Sequence, residues 1–305
     1  MSTPGIPSGD EPLFSVIVAT RDRPDLLREA VASVLSQSEQ RFELIVVDDG
    51  GTIPVSLEAD PRIVIVRRPS SGGPAAARNA GLDRARGIYV TFLDDDDAYT
   101  PERLAFGLES MSSAPIGVCW MRPMHLPPGG ERSVRGLSRG ENRRLEGDVR
   151  RVIVERMRPH LGQVTIRREV APRFDERLSG PEDFEWWIRA SQAGTVSTVP
   201  AVGFLLRRHL GSRITSSVRQ RDRIDANLRL LEIQADYYRK VPRARAFEWR
   251  RIGVLAEQIG DRPLARTAYG RSFLSHPSRR SLTRLLRSVL PVNRRGTSER
   301  ENQDP

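Results

Sequence analysis

Residues 87–104, GIYVTFLDDDDAYTPERL, carry four consecutive aspartates directly behind an apolar run rich in strand formers. The run is too uniformly apolar for a half-exposed strand, so it reads as a strand buried on both faces and ending at Asp94. Asp94, Asp95, Asp96 and Asp97 repel one another at that strand mouth, so the fold must place positive charge there, and a divalent metal ion would serve. TPERL then reads as a helix start.

The same grammar runs upstream. LFSVIVAT (13–20) is a buried strand, and RDRPDLLREAVASVLSQ (21–37) sets Leu26, Leu27, Ala30, Val31, Val34 and Leu35 at helical spacing, with Pro24 suited to a first turn. FELIVVDDGG (42–51) and RIVIVRR (62–68) are further strands, and PSSGGPAAARNAGLDRARG (69–87) breaks at Gly72 and Gly73 before an alanine-rich helix from Pro74. Strands apolar on both faces that alternate with helices predict a mostly parallel sheet covered on each side, with ligands bound outside the carboxyl ends of its strands. Thr20, Asp48, Asp49 and the aspartate quartet all fall at such ends. Residues 122–158 show little periodicity and read as a loop-rich excursion. Order returns with the strand-like QVTIRREV (163–170), a helix in FDERLSGPEDFEWWIRASQAG (174–194) with Phe184, Trp187, Ile188 and Ser191 on one face, and the strand-like TVSTVPAVGFLLRRH (195–209).

The 305 residues suffice for one α/β domain and an appendage: a loose N-terminus (1–12), a main domain (13–216), a helical region (217–293) and a loose tail (294–305). The net charge of +10 is almost entirely arginine, since Lys240 is the only lysine. Arginine suits phosphate, and a positive protein with an acidic strand mouth points to a phosphorylated substrate bridged by metal. A nucleic-acid-binding role needs interleaved aromatics or a known module on the basic face, and aromatics are 6% of the chain. A single cysteine, Cys119, excludes an intramolecular disulfide, and no leader-like or membrane-spanning run is visible, so a cytoplasmic location is expected.

Four segments, FSVIVATRDRPDLLREAVASVLSQ, FELIVVDDGG, GGPAAARNAGLDRARGIYVTFLDDDDAYTPERL and FDERLSGPEDFEWWIRA, together resemble the successive motifs of family 2 glycosyltransferases. The resemblance covers residues 14–112 and, more loosely, 163–217. It implies an α/β fold of GT-A type, a nucleotide-binding sheet flanked by helices, here with an all-helical C-terminal tail. It also implies Thr20 and Asp49 in the nucleotide pocket, with Asp49 accepting from a uracil base, Arg78 approaching the nucleotide and its diphosphate, and Asp94 on the ribose side. Asp96 and His209 would hold Mn²⁺ or Mg²⁺, with Asp97 a further candidate, and Asp183 would be the general base. Trp186 and Trp187 are adjacent and expected to face differently, one toward the core and one free to stack on a sugar. Glu182 and Asp183 should likewise diverge by about 100°, so that only Asp183 faces the crevice.

The expected activity is inverting, metal-dependent transfer from a nucleotide sugar, taken as a UDP-sugar, to a hydroxyl of a glycan or lipid-linked acceptor, in cell-surface polysaccharide or glycolipid synthesis. A sugar-1-phosphate nucleotidyltransferase is the enzymatic alternative, but it would need a Gly-rich phosphate loop after the first strand, and ATRDRPDLL has no glycine. A non-enzymatic basic binding protein is the other. In the tail, residues 246–277 read as one helical hairpin of tetratricopeptide type turning at Gly260 and Asp261, which must lean on the main domain or a partner. SRRSLTRLLRSVL (278–290) carries an apolar stripe of Leu282, Leu285, Leu286, Val289 and Leu290, and residues 271–295 hold seven arginines and no acid. Two readings stay open for it: a helix lying on the anionic inner face of the membrane, or a terminal helix packed on the hairpin.

Overall fold

The computed structural model describes residues 11–111, 114–125, 133–134, 159–178, 180–207 and 220–289. The chain divides into two compact units, residues 1–218 and 219–305. In the first, strand β1 (Phe14–Thr20) leads into helix α1 (Pro24–Leu35), then β2 (Phe42–Asp48), β3 (Ile63–Arg67), α2 (Gly73–Arg84) and β4 (Tyr89–Asp94). A short β5 (Ala98–Tyr99), α3 (Arg103–Ser110), β6 (Ile116–His125), β7 (Ser133–Val134), β8 (Val164–Arg167), α4 (Glu182–Ala190) and β9 (Val196–Arg207) complete it.

The strand order β3-β2-β1-β4-β8-β6-β9-β5 explains where a ligand can sit. β1, β2, β3 and β4 are parallel, and the chain winds outward from β1 to β3 before returning to place β4 on the other side of β1. That reversal opens a crevice at the carboxyl ends of β1 and β4, where Ala19 pairs with Asp94. Beyond β4 the parallel pattern expected from sequence gives way: β8 is antiparallel to β4 and β6, and β5 is antiparallel to β9. The apolar runs show burial on both faces but not strand direction, which is set by the returning connections.

Each central strand feeds two cores because successive side chains point to opposite faces. Ile17, Ile45, Val90 and Phe92 pack with Ala75 and Ala77 of α2 and with Trp186 and Trp187 of α4. Val16, Val18, Leu44 and Leu93 pack on the other face with Leu27, Ala30 and Val31 of α1 and Leu104 of α3. Both tryptophans are fully buried with rings 5.7 Å apart, edge to face, and donate their indole N–H to Pro172 and Pro159 carbonyls. The expected sugar-stacking tryptophan is therefore absent from this pair, because Trp186 packs on Phe92 and Phe174 while Trp187 is buried against Trp186 and held by the Pro159 carbonyl.

The second unit is helical: α5 (Gln220–Ile233), α6 (Ala235–Lys240), α7 (Pro242–Gln258), α8 (Arg262–Ser275) and α9 (Arg279–Val289). α7 and α8 form the expected hairpin. Gly260 turns with φ +77°, and the Asp261 side chain caps α8 by accepting from the Leu264 N–H at 3.0 Å. Its apolar face, with Trp249, Ile252, Ala265, Ala268 and Tyr269, is joined by Ile224 of α5 and Leu285 of α9. The hairpin thus leans on helices of its own unit, where the sequence suggested the main domain or a partner. Leu282, Leu286 and Val289 remain exposed beside the packed Leu285, while Leu290 lies outside the described residues.

Candidate functional site

The carboxyl ends of β1, β2 and β4 and the start of α4 enclose a cavity of about 320 Å³. Thr20, Asp49, Arg78, Asp94, Asp96 and Asp183, all named from sequence, line it. His209 lies outside the described residues.

The aspartate quartet is divided among different partners. Arg23, from the loop after β1, sets its Nη1 3.1 Å from Asp95 Oδ1 and 3.4 Å from Asp96 Oδ2. Thr20 donates to the other Asp95 oxygen at 2.7 Å. Burial raises the Asp95 pKa to about 6, with the hydrogen bond from Thr20 and the charge of Arg23 opposing it. Asp97 is buried and accepts from the Arg207 N–H at 2.8 Å. Asp94 and Asp97 converge with His160, each offering one ligand atom, and the three atoms lie within 4.8 Å of one another. Two carboxylate oxygens and an imidazole nitrogen form a donor set that fits Mn²⁺ and, with water filling the remaining positions, Mg²⁺.

This group differs from the pair expected to hold the metal. Asp96 is engaged by Arg23 instead, and His160 takes a place no sequence feature announced. His160 is brought in by the turn before β8. Its Nδ1 accepts from the Gly162 N–H at 3.4 Å, its ring stacks on Phe204, and its Nε2 is 3.6 Å from Asp94 Oδ2. Burial alone would raise the Asp94 pKa, but Arg78, His160 and Arg23 hold it below its ordinary value.

Asp49 is less open than a solvent-facing strand end would be. One oxygen accepts from Arg68 and from the Gly72 N–H, the other from Ser71 Oγ at 2.7 Å and the Gly73 N–H at 2.9 Å. It holds the N-terminus of α2, so Asp49→Ala would leave the Gly72 and Gly73 N–H groups without their acceptor. Asp48 accepts from the Gly51 N–H at 2.9 Å.

Arg78 is 5% exposed and gathers three carboxylates from two distant segments. Its Nη2 donates to Asp94 Oδ1 at 2.9 Å and its Nη1 to Asp183 Oδ1 at 2.8 Å, while Glu182 Oε1 lies 3.6 Å from that Nη1. Burial works against its charge, and the three carboxylates outweigh it and push the Arg78 pKa upward. Glu182 and Asp183 therefore do not diverge fully: both reach this guanidinium. They differ in access, with the Asp183 side chain 35% exposed and that of Glu182 10%. Burial and the neighbouring Asp183 charge push the Glu182 pKa up to about 7, against the pull of Arg78.

The chain matches the family model described as "Glycosyl transferase family 2" over residues 15–161. The succinoglycan biosynthesis protein ExoW of Rhizobium meliloti is 37% identical over 117 residues, which are 35% of this chain and 36% of that protein. The chain spans about two fifths of the length of the curated relatives it matches most strongly. Among solved structures, Staphylococcus aureus TarS 1-349 in complex with UDP-GlcNAc is 19% identical, with a TM-score of 0.56 over 90% of this chain and 79% of that one. The mannosyltransferase PcManGT of Pyrobaculum calidifontis in complex with GDP-Man and Mn²⁺ is 17% identical, with a TM-score of 0.58 over 91% and 79%. The fold these share is the curled sheet of GT-A type, and the matched residues hold Thr20, Asp49, Arg78, the aspartate quartet and His160 in order. Residues 15–161 of the chain form a glycosyl transferase family 2 domain.

Proposed function

We propose that this protein transfers a sugar from a nucleotide-sugar donor, a UDP-sugar, to an acceptor hydroxyl with inversion at the anomeric carbon. The observation that carries the reading is the convergence, in one cavity at the topological switch point, of a cation-binding group at β4 and an accessible carboxylate on α4. The donor class is supported by the complexes of the two structural neighbours, one with UDP-GlcNAc and one with GDP-Man and Mn²⁺. Relatives named for succinoglycan and colanic acid biosynthesis support a role in making extracellular polysaccharide.

Asp94, Asp97 and His160 would hold Mn²⁺ or Mg²⁺, which when bound neutralises charge on the departing nucleoside diphosphate. Thr20 and Asp49 line the cavity and would take the nucleoside. Asp183 takes the proton of the acceptor hydroxyl as its oxygen bonds to the anomeric carbon and the bond from that carbon to the diphosphate oxygen breaks. One displacement from the opposite face inverts the centre. Asp183 suits this role better than Glu182, which is buried and accepts from the Gly180 N–H at 2.7 Å.

The acceptor is a glycan or lipid-linked glycan, and α9 provides a membrane contact through its exposed Leu282, Leu286 and Val289 with Arg279, Arg280 and Arg287 around them. No helix among the described residues is long and apolar enough to cross a membrane. The test of donor class is thermal stabilisation by UDP-, GDP- and dTDP-sugars in the presence of Mn²⁺. A ligand that binds only the native state at about 100 times its Kd adds about 2.7 kcal/mol, so UDP-sugars should raise Tm by several degrees and the others should not. Stabilisation by GDP-sugars alone would reassign the base, and stabilisation by none would remove the donor reading.

A further inference from the structure

Arg78 was expected to contact the donor diphosphate, yet its guanidinium is 5% exposed and both of its terminal nitrogens are engaged by carboxylates. Those carboxylates come from two different elements that line the cavity. Asp94 ends β4, and Asp183 opens α4, which the chain reaches 89 residues later. Each is held by one oxygen. Asp94 gives Oδ1 to Arg78 and keeps Oδ2 toward His160, while Asp183 gives Oδ1 to Arg78 and has no hydrogen bond to Oδ2 among the described residues. A planar guanidinium has the geometry to span two carboxylates in this way, which an ammonium point charge lacks. The arginine is itself fixed. The Phe174 ring lies 5.4 Å from its Cζ, and α2 is seated against β1 at Gly81, where no side chain separates helix from strand.

We propose that Arg78 is a positioning residue for the proton acceptor: it ties Asp183 to the strand-end Asp94, fixing one Asp183 oxygen and leaving the other turned to the acceptor hydroxyl. The proposal deepens the glycosyl-transfer reading above and rests on it. An unheld carboxylate on the first turn of α4 would sample several rotamers, and the oriented fraction would fall. Glu182, on the same guanidinium at 3.6 Å, is spent on the Gly180 N–H and cannot substitute.

The experiment measures UDP release by the full-length protein with Mn²⁺ and water as acceptor, from UDP-glucose, UDP-galactose and UDP-N-acetylglucosamine. Arg78→Gln, Arg78→Lys, Asp183→Asn and the double variant Arg78→Gln/Asp183→Asn are compared with wild type. Because Arg78 acts through Asp183, Arg78→Gln should lower kcat by about 10²-fold with less than about a threefold change in donor KM. Arg78→Lys should recover only part of that loss, since a point charge cannot span both carboxylates. The double variant should be no slower than Asp183→Asn alone. If Arg78→Gln does not fold, Arg78→Lys and its double with Asp183→Asn carry the same comparison. A donor KM that rises as much as kcat falls would make Arg78 a donor contact and overturn the proposal. A double variant slower by the product of the two single effects would overturn it as well. Full turnover by Asp183→Asn, or no UDP release by wild type, would instead remove the reading of the site on which the proposal rests.

Discussion

At Asp183 and Glu182 two adjacent carboxylates meet one guanidinium, and they differ in burial. Asp183→Asn should lower turnover by about 10² to 10⁴ while UDP affinity, measured by calorimetry, stays within about threefold. Glu182→Gln should keep most activity, and the reverse outcome would exchange the two assignments. Glu182 also makes stability depend on pH. Its pKa rises from 4.5 to about 7 in the fold, so between those values the folded protein binds a proton that the unfolded chain has lost. Stability from this residue is complete below pH 4.5 and declines as pH rises toward 7, by at most about 3 kcal/mol. Glu182→Gln keeps an acceptor for the Gly180 N–H and cannot ionise, so its denaturation midpoint should exceed that of wild type at pH 8 and match it more closely at pH 5. Equal slopes of stability against pH for the two proteins would show that Glu182 is not the group responsible.

Among the elements, α2 shows how a backbone approach positions chemistry. A Cβ on Gly81 would lie 2.4 Å from Ile17 Cγ2, and Ile17 is 1% exposed, so neither partner has room to move. Gly81→Ala gains about 1 kcal/mol in helix propensity but loses about 1–3 kcal/mol to overpacking. The clash wins, so chemical denaturation should show a net loss of stability, accompanied by reduced turnover because Arg78 lies one turn earlier on the same helix. A stabilised Gly81→Ala protein would mean that α2 can lift from the sheet without consequence. α9 uses one face to pack and leaves another bare: Ser281 and Leu285 face the helical core, whereas Leu282, Leu286 and Val289 are 41%, 53% and 52% exposed. Leu282→Glu/Leu286→Glu should lower co-sedimentation with phosphatidylglycerol vesicles by at least about tenfold without altering the melting temperature. Truncation after Pro277 with undiminished sedimentation would exclude α9 as the contact.

For the whole molecule, one cavity holds seven carboxylates, Asp49, the four of the quartet, Glu182 and Asp183, in a chain whose formal net charge is +10. Arg23 and Arg78 neutralise part of that local charge, and Asp94, Asp97 and His160 converge as a group that could hold a cation. Nucleotide binding should therefore depend on metal. Stabilisation by UDP should be present with Mn²⁺ and largely lost with EDTA, since a diphosphate would otherwise enter an acidic cavity. Equal UDP affinity in Mn²⁺ and in EDTA would mean that the arginines alone bind the diphosphate.

The sequence by itself determined the elements from β1 to β4 and the strand ends where the chemistry gathers, but not β6, which runs to His125 into a stretch that reads as loop. Buried strands are legible because both faces must be apolar, as in FSVIVAT and FELIVVD, and strand-end polar residues are legible because the run stops there. Strand ends alone place Thr20, Asp49, Asp94 and Asp96 on one crevice, the resemblance to family 2 glycosyltransferases adds Arg78 and Asp183, and all six line the cavity. Partnership was decided only by tertiary structure. Which aspartates meet Arg23 and which meet His160 depends on side-chain directions at the end of β4, and hydrophobic periodicity carries no information about them. His160 comes from a turn 66 residues beyond Asp94 with no pattern linking the two, and the antiparallel β8 that follows it brings that turn to the site. Burial of both tryptophans, capture of Asp49 by the α2 N-terminus and the closing of the α7/α8 hairpin by α5 and α9 have the same origin. Each depends on what a neighbouring element presents across a gap of a few ångströms, and that is fixed by packing rather than by the local order of residues.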